Sequence, residues 1–327
     1  MLGDQIVFMG ILETLRVRHG LEKVDVAYVD DELNPFRAHG EYWNTRIEAK
    51  RAMFAMHELL PELGEIHHFV RDSEFVGFFN DTYDKYIHWP GFVKGRLWPS
   101  YDGIQLDFSA GSKTYSPDGT GLHHIKTPLN DFVELNGYLP RLRLPKGLSL
   151  EVKEKMRPEM VGFEKAVTCS VRHNEHDTAR NTPKGAWVDF FREMRGSGIK
   201  FFVCSHDGEQ EHFRDFEGDL VFTKDLNFEW QEDLAVMEFS RCVLFPNGGL
   251  MSWPWFAGIP SITFGRMPCP YNHFSRLEGM EHGGQLGFAG QLTKQCWGEY
   301  DSGTMIKEFN DLDEKIIKTG RANPWST

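Results

Sequence analysis

Two loops of this chain gather residue types that hold anions. The first, Arg172-His-Asn-Glu-His-Asp-Thr-Ala-Arg-Asn-Thr-Pro183, carries Arg172, Arg180 and Asn181. It runs into an expected helix at Trp187–Arg195, and arginine forks beside a helix N-terminus suit a phosphate. The same loop also reads as a solvated turn in which Thr182-Pro183 start the helix. The second, Pro246-Asn-Gly-Gly-Leu-Met-Ser252, sets Gly248 and Gly249 after Asn247. Adjacent glycines let backbone N–H groups approach a diphosphate where a Cβ would obstruct it, although Gly-Gly is also an ordinary turn. A third loop, Ser205-His-Asp-Gly208, offers Ser205 and Asp207 to a base or ribose, and reads equally as the first turn of a helix.

Metal chemistry has less support. His173 and His176 lie three apart beside Asp177, but fourteen histidines make such neighbours common by chance, so no metal site is expected. Asp30-Asp31 reads as capping at a strand end. The chain contains no G-x-S-x-G, Walker A, G-x-G-x-x-G or H-E-x-x-H motif, the usual handles for hydrolases, P-loop enzymes, simple dehydrogenases and zincins.

The force of the anion loops comes from the elements that position them. The second half alternates strands and helices: strand Ala166–Val171, helix Trp187–Arg195, strands Lys200–Ser205 and Asp219–Phe222, helix Glu232–Arg241, strand Cys242–Phe245, helix Leu250–Ala257, strand Ser261–Phe264. This rhythm predicts a doubly wound parallel sheet, with ligands beyond the carboxyl ends of its strands, where all three loops converge. The first half predicts a helix closing at Gly20, strand Val24–Val29, helix Thr45–Leu60, strand Glu65–Val70 and a helix at Pro128–Asn136. Between them, residues 71–126 are aromatic and rich in Gly and Pro. Pro140–Pro145 is extended, and a polar helix follows at Ser149–Met156. The expected division is residues 1–145, residues 146–303, and a terminal helix and tail over 304–327, with the helix at Thr304–Lys318.

Composition removes other classes. The 327 residues are 40% hydrophobic and 26% charged, enough for a sizeable core, and the net charge of −12 with no dense Lys/Arg block gives nucleic acid no electrostatic handle. Five cysteines without CxxC spacing, three of them in apolar runs, read as free thiols of a reduced, cytoplasmic compartment. No apolar run approaches the length of a membrane span, and no secretory leader is evident.

Leu2-Gly3-Asp4-Gln5-Ile6, opening a helix that closes with Leu15-Arg16, resembles the start of the bacterial ADP-heptose:lipopolysaccharide heptosyltransferases. The run from Phe245 to Gly265 is similar to that family's donor loop, helix and Gly-x-Pro strand. The resemblance implies a GT-B architecture, two Rossmann-like domains facing a cleft. It implies a nucleotide-sugar donor in the C-terminal domain, a glycan or lipid-linked acceptor on the N-terminal side, and peripheral membrane association at most. It also implies a glycosyltransferase that needs no obligatory cofactor or metal, with Asp4 as the base; by position alone, Asp4 would be a helix N-cap. Three departures qualify the likeness. Asn247-Gly248 and Ser252 stand where the family carries an acidic residue with Ser or Thr, and a His. The Arg172–Pro183 loop is closer to GT-B-like proteins with an Arg…Arg-Asn pattern, and distantly to fucosyltransferases. The family's strand before Leu-Gly-Asp has no counterpart after Met1, so either a strand is missing from the chain as given or the first sheet is one strand short. A nucleotide-sugar epimerase and a non-catalytic nucleotide-binding protein remain alternatives.

Overall fold

The computed structural model describes residues 2–29, 55–69, 123–173, 181–205, 207–214, 220–246, 248–265 and 286–325, with single positions at 74, 77, 78, 81 and 178. The chain divides into two compact units, one of residues 7–142 and one of residues 1–6 with 143–327.

Helix α1 (Leu2–Arg18), whose residues from Val7 onward belong to the first of these units, buries Val7, Met9 and Ile11, and turns off at Gly20, whose φ of +60° favours glycine. Its buried Glu13 accepts two hydrogen bonds of 2.8 Å from Arg16, which also donates to the Leu21 carbonyl and so closes the helix end. Strands β1 (Val24–Val29) and β2 (Leu63–Phe69) pair in parallel, with an irregularity between Val24 and Val26. There the Asp25 carboxylate lies over Gly64, where a side chain would collide with it, and accepts the Glu65 N–H at 2.8 Å. Helix α2 spans His123–Asn136, five residues earlier than its proline suggests, so Pro128 sits inside the helix rather than at its start. Of the helix expected at Thr45–Leu60, only a 3-10 turn at Met56–Leu59 falls within the described residues.

The second unit begins with α3 (Leu148–Met156) and is built on six parallel strands: β3 (Lys165–Ser170), β4 (Ile199–Cys204), β5 (Leu220–Phe222), β6 (Val243–Pro246), β7 (Ser261–Gly265) and β8 (Thr293–Trp297). Between them lie α4 (Lys184–Glu193), α5 (Asp207–Gln210), α6 (Trp230–Glu238) and α7 (Trp253–Ala257), and α8 (Ser302–Lys318) follows β8. The order across the sheet is β5-β4-β3-β6-β7-β8. Numbered within the unit this is 3-2-1-4-5-6, the Rossmann order, with its switch point between β3 and β6.

Alternation along the strands sends Val167, Cys169, Phe201, Val203, Leu244, Ile262 and Phe264 to one face. There they pack with Trp187, Phe190 and Phe191 of α4 and with Met305, Phe309, Leu312 and Ile316 of α8. The amino edge of the sheet is tied down. Asp313 of α8 accepts from Arg241 Nε at 2.6 Å and from Lys165 Nζ at 3.0 Å. The chain after α8 then crosses this edge: Arg321 donates to the Gly258 carbonyl, Asn323 to that of Glu164, and the Trp325 indole to that of Phe239.

Candidate functional site

Strands β3 and β6 pair through Thr168 with Val243 and Cys169 with Leu244, so the loops after them leave one sheet edge side by side. Arg172 stands two residues beyond β3. Its N–H donates to Thr182 Oγ1 at 2.7 Å, and its carbonyl accepts the Thr182 N–H at 2.9 Å. This double bridge closes the neck of the loop and brings the N-terminus of α4, two residues further on, beside Arg172. No side chain caps α4, since Pro183 stands at its N-cap, so its first N–H groups and the helix dipole are directed at whatever lies before them. Arg172 is buried, Asn181 is half-buried with its N–H on the Thr178 carbonyl, and Arg180 lies outside the described residues.

The second loop differs in detail from its sequence reading. Gly248 is extended, with φ of −150°, and a Cβ placed on it would meet nothing nearer than the Pro246 carbonyl at 3.8 Å. The fold itself therefore does not demand glycine here. The helix expected at Leu250–Ala257 is a 3-10 turn at Gly249–Ser252 followed by the five residues of α7, too short to lend a useful dipole. What this loop offers an anion is the backbone N–H groups of Gly248 and Gly249. Asn247 lies outside the described residues.

Ser205 takes a structural part. Its hydroxyl accepts the Val171 N–H at 2.8 Å, with its oxygen 2.6 Å from the Val171 carbonyl and 2.5 Å from that of Cys204. The side chain thus pins the end of β4 to the end of β3, where Arg172 begins. Gln210 reinforces the same corner by donating to the Val203 and Ser205 carbonyls. Asp207 opens α5, and its side chain lies outside the described residues, as does that of Asp4 in the first turn of α1. Asp30, Asp31, His176 and Asp177 also lie outside them.

Sequence reasoning missed Asp233. It sits in α6 with 4% of its surface exposed, and burial pushes its carboxyl up to about 6 against the pull of Lys224, whose Nζ is 3.8 Å away. As one of three acids in this helix, directly after Glu232, Asp233 gives no sign in the sequence that it faces inward. The four described cysteines are buried, and burial raises each thiol, Cys296 to about 12, so none is an activated nucleophile. Among the described residues no three His, Cys, Asp or Glu side chains gather as a metal site, and no helix is long and apolar enough to cross a membrane.

No protein-family model matches the sequence, and no curated protein matches it. Solved structures do resemble the fold. The ADP-heptose lipopolysaccharide heptosyltransferase II of E. coli aligns over 98% of this chain and 97% of its own, at 11% identity and a TM-score of 0.57. A glycosyl transferase family 9 protein of Veillonella parvula aligns over 96% and 95%, also at 11% identity, with a TM-score of 0.50. At such identity the likeness concerns the fold, which is that of the GT-B-like glycosyltransferases.

Proposed function

We propose that this chain transfers a sugar from a nucleoside-diphosphate sugar to a hydroxyl acceptor, with the donor's diphosphate held between the ends of β3 and β6. One observation carries the reading. Arg172, the uncapped N-terminus of α4 and the Gly248-Gly249 backbone all emerge at the switch point of a Rossmann-ordered sheet. Support comes from a fold shared along nearly the whole chain with a protein named for ADP-heptose. A glycine that its own backbone does not require at position 248 fits close approach by a ligand.

In this reading, negative charge gathers on the departing diphosphate as the glycosidic bond breaks. The Arg172 guanidinium, with Arg180, Asn181 and Asn247 as further donors, and the α4 dipole stabilise that charge without an obligatory metal. Asp4 takes the proton of the acceptor hydroxyl. The acceptor would be a glycan or lipid-linked saccharide of cell-surface synthesis, met on the cytoplasmic side.

The test is release of nucleoside diphosphate from ADP-, GDP- and UDP-sugars, with and without saccharide acceptors. Asn is nearly the same size as Asp, which here lies within the first turn of α1, but accepts no proton at neutral pH. Asp4→Asn is therefore expected to keep the melting temperature and donor affinity and lose at least about a hundredfold in turnover. Undiminished turnover would leave Asp4 as an acid in the first turn of α1 that interacts with the helix dipole, and would place the base elsewhere. The altered donor loop, with Asn247-Gly248 where the family is acidic, favours a second reading as a nucleotide-binding protein without transfer. Tight binding without release would select it, and a changed sugar from donor alone would select an epimerase.

A further inference from the structure

The face of the sheet turned away from α4 and α8 changes character at β7 and β8. Ile262, Phe264 and Cys296 pack into the core with α4 and α8, so alternation turns Ser261 and Thr263 of β7, and Thr293 and Gln295 of β8, to the opposite face. Strands of a parallel sheet covered on both sides are ordinarily apolar on both, as Phe202, Val243 and Phe245 are on this face. The four polar residues are just as deeply buried: Ser261, Thr263 and Gln295 are each 1% exposed and Thr293 3%. The pairing register sets Ser261 beside Thr293 and Thr263 beside Gln295.

Nearer the middle of the sheet, the buried hydroxyls of Thr168 and Ser240 find partners inside the protein. They share a hydrogen bond of 2.5 Å, and Ser240 donates onward to the Val236 carbonyl at 3.0 Å. Among the described residues, Ser261 Oγ, Thr263 Oγ1 and Gln295 Nε2 are instead buried without a hydrogen-bond partner. A polar group buried in this way destabilises the fold, and three in one patch call for a ligand that satisfies them together. That ligand must accept from an amide N–H and both give to and accept from hydroxyls. An ion fits poorly. A cation would meet the N–H donors of Gln295, and an anion would need a counter-charge, whereas Lys294 belongs to the opposite face of β8 and pairs there with Glu308. Water fits, because facing residues on neighbouring strands lie about 4.8 Å apart and a molecule bonded at about 2.8 Å to each side bridges such a gap.

We propose that this patch is a binding site for internal water, in which one molecule bridges Thr263 Oγ1 and Gln295 Nε2 and a second, bonded to the first, reaches Ser261 Oγ. The water ties β8, the outermost of the described strands on this side of the sheet, to β7 through side chains as well as backbone. The site does not depend on the donor site at the carboxyl edge.

A high-resolution crystal structure of the full chain, together with melting temperatures of two variants, tests it. The expected density is a water within about 3.2 Å of both Thr263 Oγ1 and Gln295 Nε2, with a second beside Ser261 Oγ. Thr263→Val nearly keeps the shape of the side chain and separates a wet patch from a dry one by sign. In a wet patch it strips the water of a partner and should lower the melting temperature by about 2–4 °C, whereas in a dry patch it removes an unsatisfied hydroxyl and should raise it. Gln295→Met gives the same contrast from β8, which keeps the test valid if the first variant folds poorly. The two substitutions combined should lower the melting temperature by less than the sum of their separate effects, because both act through one water. Density that leaves any of the three groups without water, or a direct hydrogen bond between Thr263 and Gln295, would overturn the proposal. So would a higher melting temperature in either variant, or losses that simply add.

Discussion

The two edges of the six-stranded sheet are built on different principles. At the amino edge, charges are paired and the chain end is strapped down: Arg241 and Lys165 converge on Asp313, and Arg321, Asn323 and Trp325 each close a backbone carbonyl. At the carboxyl edge, a buried arginine sits at the neck of a loop, a helix N-terminus carries no cap, and burial pushes the Asp233 carboxyl up to about 6. One edge commits its polar groups to holding the fold, while the other, though also tied by Ser205 and Gln210, leaves a helix end uncapped and an acid buried beside the proposed donor site. The crevice can be irregular because the far side of the same strands is not.

The largest expected effect breaks the amino edge. Burial alone would raise Asp313, but its hydrogen bonds from Arg241 and Lys165 win and hold it below the usual carboxylate range. Asp313→Ala leaves Arg241, 6% exposed, without its carboxylate and is expected to cost roughly 3 kcal/mol in urea unfolding. Nucleotide affinity of the folded protein should stay as it was. Because the folded-state pKa is depressed, this contribution is present above the ordinary range near 3.8 and is lost as pH falls through the folded value. The same denaturation curve taken at acid pH should narrow the gap between variant and wild type.

A middle effect separates the edges from the other side. Ser205→Ala removes the hydroxyl that joins β4 to Val171, and should cost about 1–2 kcal/mol of stability. It should also weaken nucleoside-diphosphate binding, since Arg172 follows Val171 directly. Trp325→Ala should have the smallest effect. It should cost about 1 kcal/mol through the lost indole hydrogen bond and the packing on Phe239, read as a lower melting temperature with unchanged nucleotide affinity. A loss of affinity in Trp325→Ala equal to that in Ser205→Ala would erase the distinction between the edges.

The sequence made this division partly visible. Buried parallel strands are short apolar runs, so β1, β3, β4, β6 and β7 stand within a residue or two of where periodicity puts them. Strand β8 was invisible because its buried face carries Thr293 and Gln295, so no apolar run announces it. In β7 the last residue is glycine for a reason no local pattern encodes: the Trp297 ring of β8 occupies the space of its side chain. The loops carrying Arg172 and Gly248 could be put forward for an anion from the sequence because glycine and arginine chemistry is local. Asp233 and the bonding of Ser205 were not, because their roles depend on partners 9 to 34 residues away. The helix thought to follow Gly249 fails for a similar reason, since Pro254 and Gly258 confine it to five residues.

The central claim is that the carboxyl edge at β3 and β6 holds a nucleoside diphosphate through Arg172. Calorimetric titration of ADP, GDP, UDP and CDP into wild type and Arg172→Ala tests it most directly, with melting temperatures taken on both proteins. The account predicts that at least one nucleotide binds wild type and loses roughly 10- to 150-fold in affinity in the variant, the equivalent of about 1.5–3 kcal/mol for a charge-assisted hydrogen bond. Equal affinity in a folded Arg172→Ala, or no binding of any of the four to wild type, would contradict it.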